Sequence, residues 1–176
     1  FFYDQLLEKS DWHDKCINEA REFDESFSFD SLSNLPTIEA CLFEAMRLYP
    51  AGWGFTREAL NDDEIEGHKF NKEDIFLVSP YLTHRFEKYW NRPLEFDPKR
   101  FLGVKMTDEL RQTYFPFGVG PRMCSGMNFA LMEMKIILMN LLRDYTIVRS
   151  GERPNVDARA TLYSKNGFQM KVIKNV

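Results

Sequence analysis

One segment constrains this chain more than any other: PFGVGPRMCSGMNFALMEMK, residues 116–135. Gly118, Gly120 and Gly126 punctuate it, Arg122 and Cys124 sit between them, and a periodic apolar run comes directly after. That run predicts a strong helix from about Ser125 or Met127 to Arg143. Cys124 therefore stands just ahead of a helix N-terminus, where unpaired N–H groups and the positive end of the helix dipole gather. Such a setting, with Arg122 close by, favours the thiolate form. Glycine permits φ > 0 and lets backbone approach a flat ligand closely. The loop is suited to bringing one thiolate and its neighbouring N–H groups against something large. The plainer reading is a buried free cysteine whose glycines only make a turn and a helix cap. A cysteine nucleophile is less favoured, because no histidine lies in a recognisable partner motif.

The remaining composition narrows the class. With 176 residues the chain is the size of one ordinary domain. It is 44% hydrophobic and 15% aromatic, enough for a real core, and 28% charged residues argue against disorder. A net charge of -4 argues against a nucleic-acid partner. The three cysteines, Cys16, Cys41 and Cys124, form no C-x-x-C pair, and an odd count fits free thiols in a reducing compartment. His13, His68 and His84 are too scattered for a zinc motif. The most apolar stretch, FALMEMKIILMNLL, is interrupted by Glu133, Lys135 and Asn140 and is too short to span a bilayer. No signal peptide, internal repeat or low-complexity tract is evident, and the opening FFYDQLLEK reads as the inside of a structural element.

Along the chain, Phe1 to Glu8 reads as the end of a helix. Ser10 is the expected cap of a second helix from Asp11 to about Phe23. DESFSFDSLSN, residues 24–34, is a polar loop pinned by two Phe. Pro36 suits the first turn of a third helix, whose Ile38, Cys41, Leu42, Ala45, Met46 and Tyr49 have the spacing of a buried face. Pro50 and Gly52 end it. Short strands are expected in WGFTREAL, around EIEGHKF and in DIFLVSP. Residues 80–98 read mostly as loop with one short helix. LGVKMTDELRQTYFPFGVGPR reads as one long irregular stretch, and such loops usually carry function. YTIVRS and GFQMKVIK read as a terminal β-hairpin. The fold class is mainly α with small β-sheets (α+β).

Phe117, Gly120, Arg122, Cys124 and Gly126 match F-x-x-G-x-R-x-C-x-G, and the chain thereby resembles the cytochrome P450 family. Five fixed residue types match by chance at roughly 10⁻⁶ per starting position. Three further segments agree in order. Glu44 and Arg47 in FEAMRLYP resemble the family's E-x-x-R helix; as bare residues they would be a surface i, i+3 pair. FDPKRF resembles the meander that supplies a second arginine, here Arg100. His84, Arg85 and Trp90 resemble its HRDxxxW stretch, with His84 structural.

The resemblance implies roles. Cys124 would be the axial ligand of the iron of haem b (iron protoporphyrin IX). Arg122 and Arg57 would pair with the haem propionates, Phe117 would shield the sulfur, and Gly118 and Gly126 would let backbone approach the porphyrin. Glu44, Arg47 and Arg100 would form one buried network behind the haem. Trp53, Gly54 and Phe55 would line the substrate pocket, although as bare residues they are more often core. Ser125 departs mildly from the pattern, since relatives often carry an apolar residue there. Lys105, Arg111, Lys135 and Arg143 read first as a solvated face, and second as a basic surface for an acidic reductase.

The implied activity is monooxygenation of a small lipophilic substrate by O₂, with electrons from a flavoprotein reductase at the cytosolic face of the endoplasmic reticulum membrane. The membrane would be reached through an N-terminal anchor outside this sequence. By the same resemblance residues 1–176 are the C-terminal portion of a single domain. The acid–threonine pair of the distal helix would precede Phe1, so the chain alone is expected to be incomplete and inactive. Two other readings stand beside this one: a peroxide-rearranging isomerase, and a non-catalytic remnant.

Overall fold

The structure, a computed structural model, describes residues 1–23 and 29–175. Residues 24–28 of the expected polar loop lie outside the described residues; the rest of that loop forms a 3₁₀ turn at Phe29–Asn34. Six α-helices are described: α1 (Phe2–Leu6), α2 (Ser10–Glu22), α3 (Pro36–Leu48), α4 (Pro80–Thr83), α5 (Asp108–Thr113) and α6 (Met127–Asp144). Eight short strands accompany them: β1 (Phe55–Glu58), β2 (Asp63–Ile65), β3 (His68–Phe70), β4 (Ile75–Val78), β5 (Tyr145–Arg149), β6 (Val156–Ala158), β7 (Leu162–Ser164) and β8 (Met170–Lys174).

The strands repeat one plan twice. An outer antiparallel pair encloses an inner hairpin: β1 with β4 around β2–β3, then β5 with β8 around β6–β7. The register runs Phe55↔Val78 to Glu58↔Ile75 in the first pair and Tyr145↔Lys174 to Arg149↔Met170 in the second.

Helix α3 is the axis of the molecule. Pro36 opens it, where a missing N–H costs nothing. Two of its free N–H groups are taken by another helix: Thr37 and Ile38 donate to the Glu19 carboxylate at 2.7 and 2.8 Å. Eight of its positions, from Ile38 to Leu48, are buried, because apolar groups pack on both sides of it. On one side Ile38, Cys41, Leu42 and Ala45 meet Trp12, Cys16 and Ala20 of α2 and Leu138, Met139 and Leu142 of α6. On the other, Ala40 meets Trp90, Phe101 and Tyr114. Each fully buried Leu or Ile here contributes about 1.5–3 kcal/mol.

The first and last segments are clasped together. Asp4 is only 2% exposed and accepts from Arg149 at 2.7 Å, and Glu8 accepts from the same guanidinium at 2.6 Å. Phe1 stacks on Tyr49 with ring centroids 4.4 Å apart.

Four expectations need correction. Ser10 does not cap α2; it is the first helical residue, the cap is Lys9, and no side chain bonds there. The stretch from Leu102 to Arg122 is not irregular throughout, because Thr107 caps α5 by accepting the Leu110 N–H at 3.2 Å. YTIVRS and GFQMKVIK do pair, as β5 and β8, but not as a hairpin, since β6–β7 intervenes. Lys135 is not on a solvated face: it is 8% exposed, pairs with Glu39 at 2.7 Å and donates to the Leu32 carbonyl at 3.4 Å.

Candidate functional site

The cysteine loop joins α5 to α6 through a chain of tight turns. The Phe115 carbonyl accepts the Gly118 N–H at 3.0 Å, and Gly118 takes φ +79° to close that turn. Gly120 repeats the left-handed backbone at φ +74° and opens a 3₁₀ turn through Arg122. The Met123 N–H returns to the Gly120 carbonyl at 3.0 Å. Residues with a Cβ adopt this conformation at a cost of about 1–2 kcal/mol, so glycine is the natural occupant of both positions.

Cys124 is fixed through its backbone, not its side chain. Its N–H donates to the Phe117 carbonyl at 2.9 Å, and its carbonyl accepts the Met127 N–H at 3.4 Å. The thiol is exposed. A Cβ on Gly126 would come to 3.8 Å from the sulfur, an ordinary contact; glycine leaves that flank of the sulfur bare. Gly126 is also the N-cap of α6, whose first-turn N–H groups lie beside the cysteine.

Behind the loop lies a buried ionic network. Glu44 and Arg47 are both 0% exposed. Arg47 grips the carboxylate with two donors, Nε to Oε2 at 2.7 Å and Nη2 to Oε1 at 2.8 Å. Its remaining donors go to carbonyls: Nη1 to His84 at 2.6 Å and Pro93 at 2.7 Å, Nη2 to Glu95 at 3.0 Å. Glu44 Oε1 also accepts from Arg100 Nε at 3.3 Å and from the Asp97 N–H at 2.9 Å. All five guanidinium N–H donors of Arg47 are thus used, which is what a charge at this depth requires. His84 is equally buried, and desolvation lowers its pKa from 6.5 to about 3. Tyr114, also in this layer, is held in its neutral form by burial.

The other candidate residues fall around the loop in two groups. Phe55 meets Phe115 edge to face at 6.4 Å, and the Arg57 guanidinium lies 4.5 Å from the Phe55 ring centre, so β1 sits against the start of the loop. Arg57 is exposed and donates to the Thr56 carbonyl at 2.9 Å. Trp53 is turned elsewhere: its indole N–H donates to the Arg159 carbonyl at 2.6 Å, in the tip of β6–β7. Gly54 packs under Leu77, where a Cβ would approach the side chain to 3.1 Å. Arg122 is exposed and, among the described residues, has no hydrogen-bond or ion-pair partner.

A cavity of about 550 Å³ lies beside the loop between α3 and α6, with Phe43, Met46, Phe117, Met123 and Leu131 in its wall. Cys124 does not line it, and neither do Trp53, Gly54 and Phe55. Among the described residues no cluster of three or more His, Cys, Asp or Glu could hold a metal ion. Two contributors are invisible in the sequence. Glu19, which caps α3, is eighteen positions away from its partner. His84 reads as structural there, but nothing in the spacing signals its bond to Phe115 at the mouth of the loop.

The sequence profile of cytochrome P450 matches residues 1–172. The chain belongs to the cytochrome P450 family. It is 31% identical over 175 residues to a thromboxane-A synthase of Sus scrofa, covering 96% of this chain and 33% of that protein. It is 32% identical over 149 residues to cytochrome P450 3A13 of Mus musculus, covering 83% and 30% respectively. The crystal structure of a cytochrome P450 (CYP102L1) superposes with a TM-score of 0.83 at 29% identity, over 97% of this chain and 40% of that one. The chain thus spans about a third of the length of the curated relatives it matches, in the C-terminal region of the P450 fold. Membership of the P450 family implies a haem cofactor. The loop fits such a group: one exposed thiol, bare backbone on its Gly126 side, and a cation at Arg122 with no partner of its own among the described residues. No described helix is long and apolar enough to cross a membrane.

Proposed function

We propose that the protein to which this chain contributes is a haem-thiolate monooxygenase acting on a small lipophilic substrate. The observation that carries this is the exposed Cys124 thiol, held by its own backbone between glycines at the start of α6. The cofactor would be haem b, and Cys124 would hold its iron. Arg122 and Arg57 would pair with its propionates. Phe117 and Gly118 would support the loop against it, and Gly126 would clear its approach. Glu44, Arg47 and Arg100 hold the layer behind the ligand without touching the reaction. Of Trp53, Gly54 and Phe55, the segment that would line the way to the substrate, Phe55 lies nearest the cysteine loop, and Trp53 is held toward β6–β7.

Bound there, haem supplies reductive O₂ activation, RH + O₂ + two electrons + two protons giving ROH + H₂O. The chain's part is to present the Cys124 sulfur at the start of α6 and to keep it there. The Cys124 N–H, committed to the Phe117 carbonyl, fixes the direction from which the sulfur approaches. Electrons come from a flavoprotein reductase, and the site of action is the cytosolic face of the endoplasmic reticulum membrane. Lys105 and Arg111, both exposed, remain available to an acidic partner; Lys135, paired with Glu39, does not.

The carbon monoxide spectrum of the reduced, haem-loaded full-length protein tests this, because thiolate-ligated iron has a distinctive band. Wild type gives the thiolate band and Cys124→Ser loses it while the far-UV circular dichroism stays unchanged. An unaltered spectrum in Cys124→Ser defeats the assignment. The second reading is a peroxide-rearranging haem-thiolate isomerase, which would need neither O₂ nor a reductase. Conversion of a lipid peroxide with neither reductase nor O₂ supports that reading; strict dependence on both supports the first.

A further inference from the structure

We infer that His84 is a positioning residue for Cys124, a neutral two-ended clamp that moors the start of the cysteine loop to α3. The inference deepens the haem-thiolate reading and rests on it.

The ring is 0% exposed, and each of its nitrogens has one partner. Nε2 lies 2.9 Å from the Phe115 backbone nitrogen, and Nδ1 lies 3.2 Å from the Arg47 carbonyl oxygen. A backbone N–H only donates, so Nε2 is the unprotonated acceptor. A carbonyl only accepts, so Nδ1 carries the single proton. The tautomer is dictated by the two partners, and a doubly protonated ring would break one bond. Desolvation keeps the ring neutral against the opposing pull of the Arg47 carbonyl, and the Arg47 and Arg85 charges act with the desolvation.

The pair of segments it joins sets this residue apart from an ordinary satisfied core histidine. The Arg47 carbonyl belongs to the last turn of α3, where carbonyls lack helical partners. Arg47 answers through its side chain, donating to the His84 carbonyl at 2.6 Å, so the two residues hold each other twice. Phe115 is the residue whose carbonyl begins the glycine turn, and two residues on, the Phe117 carbonyl receives the Cys124 N–H. Tyr114 adds a second mooring: its ring stacks on His84 at 5.2 Å and its hydroxyl donates to the Phe43 carbonyl at 3.0 Å. The route from the Glu44–Arg47 pair to the ligand's own amide therefore runs through one imidazole. The other end of the loop is fixed by α6.

Amide hydrogen exchange and the carbon monoxide spectrum, both on the full-length haem protein, test this. His84→Phe keeps the ring and removes both bonds. Protection at the Phe115 and Cys124 amides should fall about tenfold more than at Leu142 in the distant core. Part of the reduced carbon monoxide complex should move from thiolate to thiol ligation. His84→Gln, with an amide NH₂ to donate and a carbonyl to accept, should restore part of both. An equal loss of protection at all three amides, or a wild-type thiolate fraction in folded His84→Phe, overturns the proposal. So does a wild-type Phe115 amide that exchanges as fast as exposed loop residues, a result that needs no variant. Should His84→Phe not fold, the wild-type exchange and His84→Gln decide. A wild-type protein without the thiolate band defeats the haem-thiolate reading itself, which separates the two failures.

Discussion

Arg47 shows how much a single side chain can bear when every donor is placed. Its charge is tolerable at 0% exposure only because Glu44 and three carbonyls receive it. Removing the guanidinium leaves the carboxylate buried with Arg100, at 3.3 Å, as its one charged partner among the described residues. Arg47→Met should therefore lower the unfolding free energy by about 3–5 kcal/mol in a urea titration. Haem loading should be lost with it. The pairing of Glu44 with Arg47 is legible in the sequence, because i, i+3 spacing puts both on one helix face; their burial is not, because the layer that covers them comes from residues 84–100 and 114. His84 adds a pH dependence. Its folded pKa, lowered by desolvation, lies near 3 against 6.5 unfolded. The unfolded chain therefore binds more protons between these values, and stability falls as pH drops below 6.5. The slope this one group adds approaches about 1.4 kcal/mol per pH unit. A pH series of urea midpoints for wild type and His84→Gln should differ by that slope, and run parallel above pH 6.5.

At the level of elements, α3 and α6 are readable because each carries a long run of buried apolar spacing and a local start signal, Pro36 or the glycine loop. The cap of α3 is not readable, since Glu19 reaches it from α2 across space. Glu19→Ala should cost about 1 kcal/mol and speed exchange at the Thr37 and Ile38 amides ahead of the rest of α3. Helix α5 is the opposite case. Thr107 with Asp108 and Glu109 after it is a legible cap with acidic residues in the first turn, but the surrounding glycines and prolines mask it. The strands β5 and β8 announce themselves by composition, yet composition names no partner; only the fold shows that a second hairpin sits between them.

For the molecule as a whole, the decisive contacts are the ones that bring distant segments of the chain together. Asp4 and Glu8 hold Arg149, and Phe1 stacks on Tyr49 and meets Phe168 edge to face at 5.0 Å. Asp4→Ala leaves Arg149 with the Glu8 carboxylate and the residue-4 backbone carbonyl, and exchange should quicken in β5 and β8 together while α3 is unaffected. Large apolar side chains also remain uncovered, Leu60 at 80% and Ile75 at 72% among them. Exposed apolar side chains that come together form association sites in water. Light scattering of the 176 residues alone should rise with concentration, and Leu60→Lys with Ile75→Lys should suppress it.

The two nested hairpins differ in one respect that bears on how such a chain can diversify. The β2–β3 tip at Gly67 has nothing within 4 Å of where a side chain would begin, whereas the β6–β7 tip is stitched to Ala51 and Trp53 by the Leu162 N–H and the Arg159 carbonyl. Extra residues at the first tip would dangle harmlessly in solvent. At the second they would drag on the segment that leads into β1. Descendants of this sequence are therefore free to lengthen one corner and are held to a fixed length at the other.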